Sequence, residues 1–97
     1  MSEFYHVFIR PKEGVTYEQV EKTMNLAVDW FRCTQEVWVI YTTSDHNKWQ
    51  ARLKPLVSPQ GSLFICRLDI RQRNGWMDKK FWEWIREKTQ RPQQPPA

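Results

Sequence analysis

Two cysteines, three glycines and no long apolar run set the first limits on this 97-residue chain. No stretch approaches the ~18 to 20 consecutive apolar residues that a membrane helix needs. The opening MSEFYH has neither the basic stretch nor the apolar segment of an export signal. The expectation is a soluble, cytoplasmic protein with no membrane partner. Cys33 and Cys66 match no metal-ligand spacing, and a chain with two cysteines and no export signal keeps its thiols reduced, so both read as structural. Glu13 and Gly14, which follow the first apolar segment, lack the glycine count and the lysine position of a phosphate-cradling loop. No cofactor and no metal is expected, and no internal repeat is visible.

Aromatic residues make up for the modest apolar fraction of 40%: six Trp, five Phe and three Tyr. Each such ring buries roughly 150 to 250 Å², so a few large side chains can hold one core in a chain that buries about two-thirds of its unfolded surface. The net charge is +4. From Met1 to Cys66 seven basic residues face seven acidic ones, whereas from Arg67 to Ala97 eight face four. All of the excess lies in the last third, which suits an anionic partner there and equally suits a solvated face.

Glu3 to Arg10, EFYHVFIR, is aromatic and β-branched and is closed by Pro11 and Gly14, which predicts a first strand. Thr16 and Gln19 form a capping box, with Val15 and Val20 placed as a hydrophobic staple. Tyr17, Val20, Met24, Ala27 and Phe31 continue at helical spacing, which predicts a helix to about Phe31. Glu36 to Thr43, EVWVIYTT, carries bulk on both faces and reads as a central strand. Ser44 is expected to cap a second helix through Trp49, Leu53 and Leu56 that Pro55 and Pro59 end. Ser62 to Ile70 reads as a strand with Phe64, Cys66 and Leu68 on one face, which argues for a buried Cys66. After the polar loop RQRNG, Asp78 is expected to cap a last helix with Phe81, Trp84 and Ile85 inward. The Pro/Gln-rich stretch 91–97 is expected to be disordered, leaving residues 1–90 as one domain.

The order is strand, helix, strand, helix, strand, helix, and it predicts an α+β domain of ferredoxin-like βαβ type. Two layers are expected, with a right-handed parallel crossover between the first two strands and the helices on one face. A fourth strand would come from splitting Arg32 to Thr43, or from a second copy of the chain.

The stretch from Trp30 through FRCTQEVWVIYTTSDHNKWQARLKPLV, the strand SLFICRLDI and the closing GWMDKKFWEWI resemble the short bacterial and phage proteins called SinR-like. Those proteins are similar to the small CRISPR-associated subunit at the centre of the spacer-integration complex. The resemblance implies a ferredoxin-like fold and a homodimer. It also implies metal-dependent nuclease activity resting on an aspartate at the end of the first strand. Here that position reads Phe8, Ile9, Arg10, Pro11, Lys12, with no carboxylate. Cations there would repel a divalent metal.

Other constellations are thin. Asp45 beside His46 is explained by the helix dipole; Cys33 with His6 or His46 depends on the fold; Asp69 and Asp78 are two carboxylates without further ligands. The better candidate is a basic cluster. Arg71, Arg73 and Asn74 lie in the loop, Trp76 follows, and Lys79 and Lys80 open the last helix; Arg67 precedes them on the strand. Arg10 and Lys12 would join if the sheet order brings them near. Cations with an interleaved aromatic suit DNA or RNA, whereas Trp76 as a core plug and the cations as solubilising charge is the plainer alternative. Three functions stay open: a non-enzymatic homodimeric module associated with nucleic acid, a metal-dependent nuclease using Asp69, and a phage or mobile-element module that binds a host or effector protein.

Overall fold

The computed structural model describes residues 1–90; the stretch 91–97, expected to be disordered, lies outside them. The element order is β1 (Glu3–Arg10), α1 (Tyr17–Met24), β2 (Asp29–Arg32), β3 (Val37–Thr42), α2 (His46–Val57), β4 (Ser62–Leu68) and α3 (Lys79–Thr89). The strands form one sheet in the order β2-β3-β1-β4, and every neighbouring pair is antiparallel. Among the described residues no helix is long and apolar enough to cross a membrane.

Alternation along the strands divides the apolar residues between two faces. On one face Tyr5, Val7 and Ile9 of β1 and Trp38 and Ile40 of β3 meet Val20 and Met24 of α1 and Trp49, Leu53 and Val57 of α2. On the other, Phe4 and Val39 meet Phe81 and Ile85 of α3, flanked by Phe31, Tyr41, Leu68, Trp82 and Trp84. The expected two layers with helices on one face are therefore corrected: α1 and α2 cover one face and α3 covers part of the other. Both faces of β1 and β3 are apolar, and an apolar face must be covered.

Helix α1 begins as the sequence predicts. Thr16 Oγ1 accepts from the Gln19 amide at 3.2 Å, and Gln19 Oε1 accepts from the Thr16 amide at 2.8 Å. It ends at Met24 and not near Phe31, because Asp29–Arg32 pair with β3. Ala27 still packs against the core, Leu26 and Val28 beside it are exposed, and DWFR alternates as a strand. Trp30 packs against Trp38 at 4.9 Å, while Phe31 meets Phe81 on the opposite face at 5.2 Å. Tertiary pairing overrides local spacing here.

The fourth strand thus comes from a hairpin, 29–42, whose turn is closed by the Cys33 amide donating to the Val37 carbonyl at 2.8 Å. The expected parallel crossover is corrected as well: β3 is antiparallel to β1, and β2, parallel to β1, lies beyond it. β3 is an inner strand, as its two bulky faces imply.

Helix α2 is capped by Asp45, whose Oδ1 accepts from the Lys48 amide at 2.9 Å, and not by Ser44. Pro55 lies inside it, in the last turn, where the absent N–H costs a single helical bond. The chain then turns so tightly past Gly61 that any Cβ there would overlap the Arg10 carbonyl, which makes this glycine necessary for the close approach. The adjoining Lys12 amide donates to the Leu56 carbonyl at 2.9 Å, tying the exit of β1 to α2.

The expected burial of Cys66 is overturned. Cys66 is exposed and Phe64 is 59% exposed, while Leu63 and Ile65 take the inward face. The strand alternates as its sequence predicts, but α3 does not extend over this part of the second face. Asp78 stands before α3 without a side-chain cap bond; its carbonyl accepts from the Phe81 amide at 3.0 Å.

One carboxylate joins β2 to α3. Asp29 Oδ2 accepts from Trp84 Nε1 at 3.0 Å and from Lys88 Nζ at 2.7 Å, and Oδ1 accepts from the Trp30 amide at 2.8 Å. Partial burial alone would raise its pKa, but these bonds and the Lys88 charge hold it below the ordinary carboxylate value. A depressed folded-state pKa contributes stability that is present above the unfolded value, about 3.9, and is lost as pH falls through the folded one. Asp29→Asn should lower stability at pH 7 by about 1 kcal/mol, discounted for partial exposure, and should flatten the acid limb of a thermal-melt series from pH 7 to pH 2.5.

A second buried bond is testable on the other face. Trp49 Nε1 donates to Thr42 Oγ1 at 3.0 Å, and Thr42 is 2% exposed. Thr42→Val keeps the shape but leaves the indole N–H unpaired, and denaturant unfolding should show a loss of about 1 to 3 kcal/mol.

Candidate nucleic-acid interface

The segment between β4 and α3 leaves the sheet at Leu68, opposite Phe4. Its first turn is held locally: the Gln72 amide donates to the Asp69 carbonyl at 3.0 Å. Asp69 Oδ1 accepts from Arg71 Nε at 3.0 Å, and Oδ2 accepts from Arg71 Nη2 and Gln72 Nε2, both at 3.4 Å. The hydrogen bonds from Arg71, outweighing desolvation, hold the Asp69 carboxyl below its usual range, and the same bonds raise the Arg71 guanidinium.

Arg73 Nη1 donates to the Ile70 carbonyl at 3.2 Å, and Asn74 Oδ1 accepts from the Gly75 amide at 2.8 Å. Gly75 then adopts a φ of 152°, a conformation L side chains rarely take, as it passes over the Trp82 ring. The result is Trp76 at 98% exposure with Met77 beside it. The reading of Trp76 as a core plug is overturned. A side chain held outward this way has given up the burial its ring would otherwise provide.

Trp76, Met77 and Asp78 line a hollow of about 370 Å³ with Phe31, Arg32 and Cys33 from β2 and the turn after it. Sequence reasoning does not bring these three partners to the site: Phe31 reads as the end of the first helix, and Arg32 and Cys33 as the start of the stretch that could split into two strands. Arg32 is stacked between the Tyr17 and Trp38 rings, at 5.1 and 4.7 Å, and donates to the Gln35 carbonyl at 2.9 Å. Burial pushes the Cys33 thiol up, which keeps it protonated and unreactive.

Lys79 and Lys80 are exposed on the first turn of α3. Lys79 lies 4.0 Å from Glu83, and Lys80 has no ion pair among the described residues. The structure thus brings Arg71, Arg73, Asn74, Trp76, Lys79 and Lys80 onto one continuous stretch. Arg67 stands at the start of it, its Nη1 donating to Glu3 Oε1 at 3.0 Å. Arg10 and Lys12 do not join. Arg10 pairs with Ser62 at the far end of the β1–β4 ladder, six residues or about 20 Å from Leu68, and its guanidinium is 3.0 Å from Glu36.

The ion pairs at Arg67 and Arg71 are solvent-exposed. Exposed pairs of this kind are weak because water screens them, so an incoming phosphate can take either guanidinium from its carboxylate at little cost. Elsewhere, His46 stands on the first turn of α2, and the neighbouring Asp45 carboxylate is occupied in capping. Among the described residues no three of His, Cys, Asp and Glu gather as metal ligands.

Comparison of the chain with family models, with curated proteins and with solved structures gives no match. Since Trp76 buries almost nothing, Trp76→Ala should leave the unfolding free energy from denaturant titration unchanged to within about 0.5 kcal/mol, whereas a plugging role would cost several times that.

Proposed function

We propose that this chain is a non-enzymatic, homodimeric module that holds single-stranded DNA or RNA on the stretch from Arg67 to Lys80. The observation that carries the reading is the fully exposed Trp76, set among Arg71, Arg73, Lys79 and Lys80. A base can stack on the indole while the cations take phosphates. Neither contact reads sequence, so the affinity is sequence-tolerant and falls with salt.

The finer fold assignment belongs to the same proposal. The succession β-α-β-β-α-β, with β1 and β3 inner and β2 and β4 at the edges, supports a ferredoxin-like domain with α3 appended. It supports in turn the kinship with SinR-like proteins and the small CRISPR-associated subunit. Free thiols at Cys33 and Cys66 accord with a cytoplasmic setting. The nuclease reading draws less support, because Asp69 lies against the Arg71 guanidinium and, among the described residues, no three of His, Cys, Asp and Glu gather there as hard metal ligands. A host-protein partner is favoured by one observation, the exposed Phe64 on the part of the sheet that α3 leaves open.

Titration of the chain with a fluorescently labelled oligothymidylate at about 50 mM salt should show binding. Trp76→Ala should weaken it by about 1 to 3 kcal/mol, the range for one stacked base. Arg73→Ala combined with Lys80→Ala should reduce the slope of log affinity against log salt by about 1.4, as expected for two single-strand phosphate contacts. Absence of binding at low salt would remove nucleic acid from the proposal.

A further inference from the structure

β4 is a sheet edge of seven residues, SLFICRL, with no proline, no lysine and a single charge at Arg67. Edges of this kind are templates for another strand, and proteins usually blunt them by shortness, charge or proline. The opposite edge, β2, is blunted by shortness, with four residues.

The direction of the free backbone groups on β4 follows from the ladder. The Ile9 amide donates to the Glu36 carbonyl at 2.9 Å, so Tyr5, Val7 and Ile9 of β1 turn their backbone groups toward β3. Phe4, His6 and Phe8 therefore turn theirs toward β4, where they pair with Leu68, Cys66 and Phe64. The groups of Leu63, Ile65 and Arg67 face outward, and none of these amides has a partner outside the ladder among the described residues. They are spaced symmetrically about Ile65, the midpoint of Ser62–Leu68.

We infer that the β4 edge pairs antiparallel with β4 of a second copy of the chain, about a two-fold axis at Ile65, making one continuous eight-stranded sheet. This rests on the homodimer in the proposed function and specifies its surface and register. In that register Ile65 exchanges two hydrogen bonds with its own counterpart, and Leu63 pairs with Arg67 of the second copy and the reverse, so every outward group is satisfied.

The side chains agree on both faces. On the helix-covered face, Leu63 and Ile65 are only half-buried and line a groove of about 410 Å³ with His46, Gln50, Lys54 and Val57 of α2. The two-fold sets Ile65 against Ile65 and lays the aliphatic stem of Arg67 along Leu63. On the open face, Phe64, 59% exposed, comes opposite Cys66 twice.

Charge also fits. The two Arg67 residues stand at opposite ends of the seam, four residues or about 14 Å apart, beyond the screening length of about 8 Å at physiological salt. Each is also neutralised within its own chain, where its Nη1 lies 3.0 Å from Glu3 Oε1.

Two measurements test this on the unmodified chain. Sedimentation should show a dimer, and hydrogen exchange should show protection of the Leu63, Ile65 and Arg67 amides rising with protein concentration. The amides of Phe64 and Cys66, already bonded to β1, should not respond. The register is tested by Phe64→Cys. In the proposed seam that position and Cys66 of the second copy form a non-hydrogen-bonded pair, with Cα atoms about 4.5 Å apart, within disulfide reach. Mild oxidation with oxidised glutathione should give a covalent dimer whose bridge maps to positions 64 and 66. The unsubstituted chain should give little, since Cys66 and its own counterpart are diagonal, about 7 to 8 Å apart. A dimer without edge protection overturns the inference and leaves the homodimer standing. Edge protection without the bridge overturns the register. A monomer at about 100 µM overturns both, and concentration-independent protection seen only when a foreign peptide is added assigns the edge to another protein.

Discussion

Asp29 decides more of this molecule than any other single side chain. Its carboxylate binds the indole of Trp84 and the ammonium of Lys88 from α3, and the amide of Trp30 from its own strand. That set fixes the start of β2 and the landing of α3 together. With α3 docked there, Phe81 and Ile85 fill the second apolar face, and the chain from β4 has to travel to the helix start beside Arg32 and Cys33. The exposed position of Trp76 follows from that route and from the unusual backbone at Gly75.

Much of the framework was legible because several levels of the sequence agree. In β1 and β3, alternation and β-branched or aromatic content point to the same answer. Thr16 and Gln19 announce the start of α1 through a bond pattern that needs only four residues. Where two patterns coincide, the reading went astray. Ala27 and Phe31 continue a helical stripe, yet DWFR alternates equally well, and only the partner strand decides between them. Pro55 signals a helix end but sits where its missing N–H is tolerated.

The candidate site was legible as a list of residues and not as a surface. Arg71, Arg73, Lys79 and Lys80 are contiguous in sequence, so their grouping follows from chain connectivity alone. The separation of Arg10 and Lys12 from them depends on the direction of β4, which pairing sets. Trp76 carried no signal of its exposure except the glycine before it. Alternation along β4 gives two faces without saying which one a helix covers, so the sequence alone does not show that Phe64 and Cys66 face outward. Here the length and landing point of α3 made that choice, and left His6, Phe8, Phe64 and Cys66 outside its cover.

A sheet with a separate apolar cluster on each face contains two cooperative units of unequal strength. The cluster beneath α1 and α2 holds ten buried side chains and that beneath α3 holds four. With fewer buried side chains to hold it, the smaller cluster is the one where sub-global opening is expected first. Because the exposed Trp76 precedes α3 and Lys79 and Lys80 stand on its first turn, any ligand that bridges them to the rest of the sheet would act as a clamp on the opening. The chain would then be most rigid when occupied and most open to remodelling when empty.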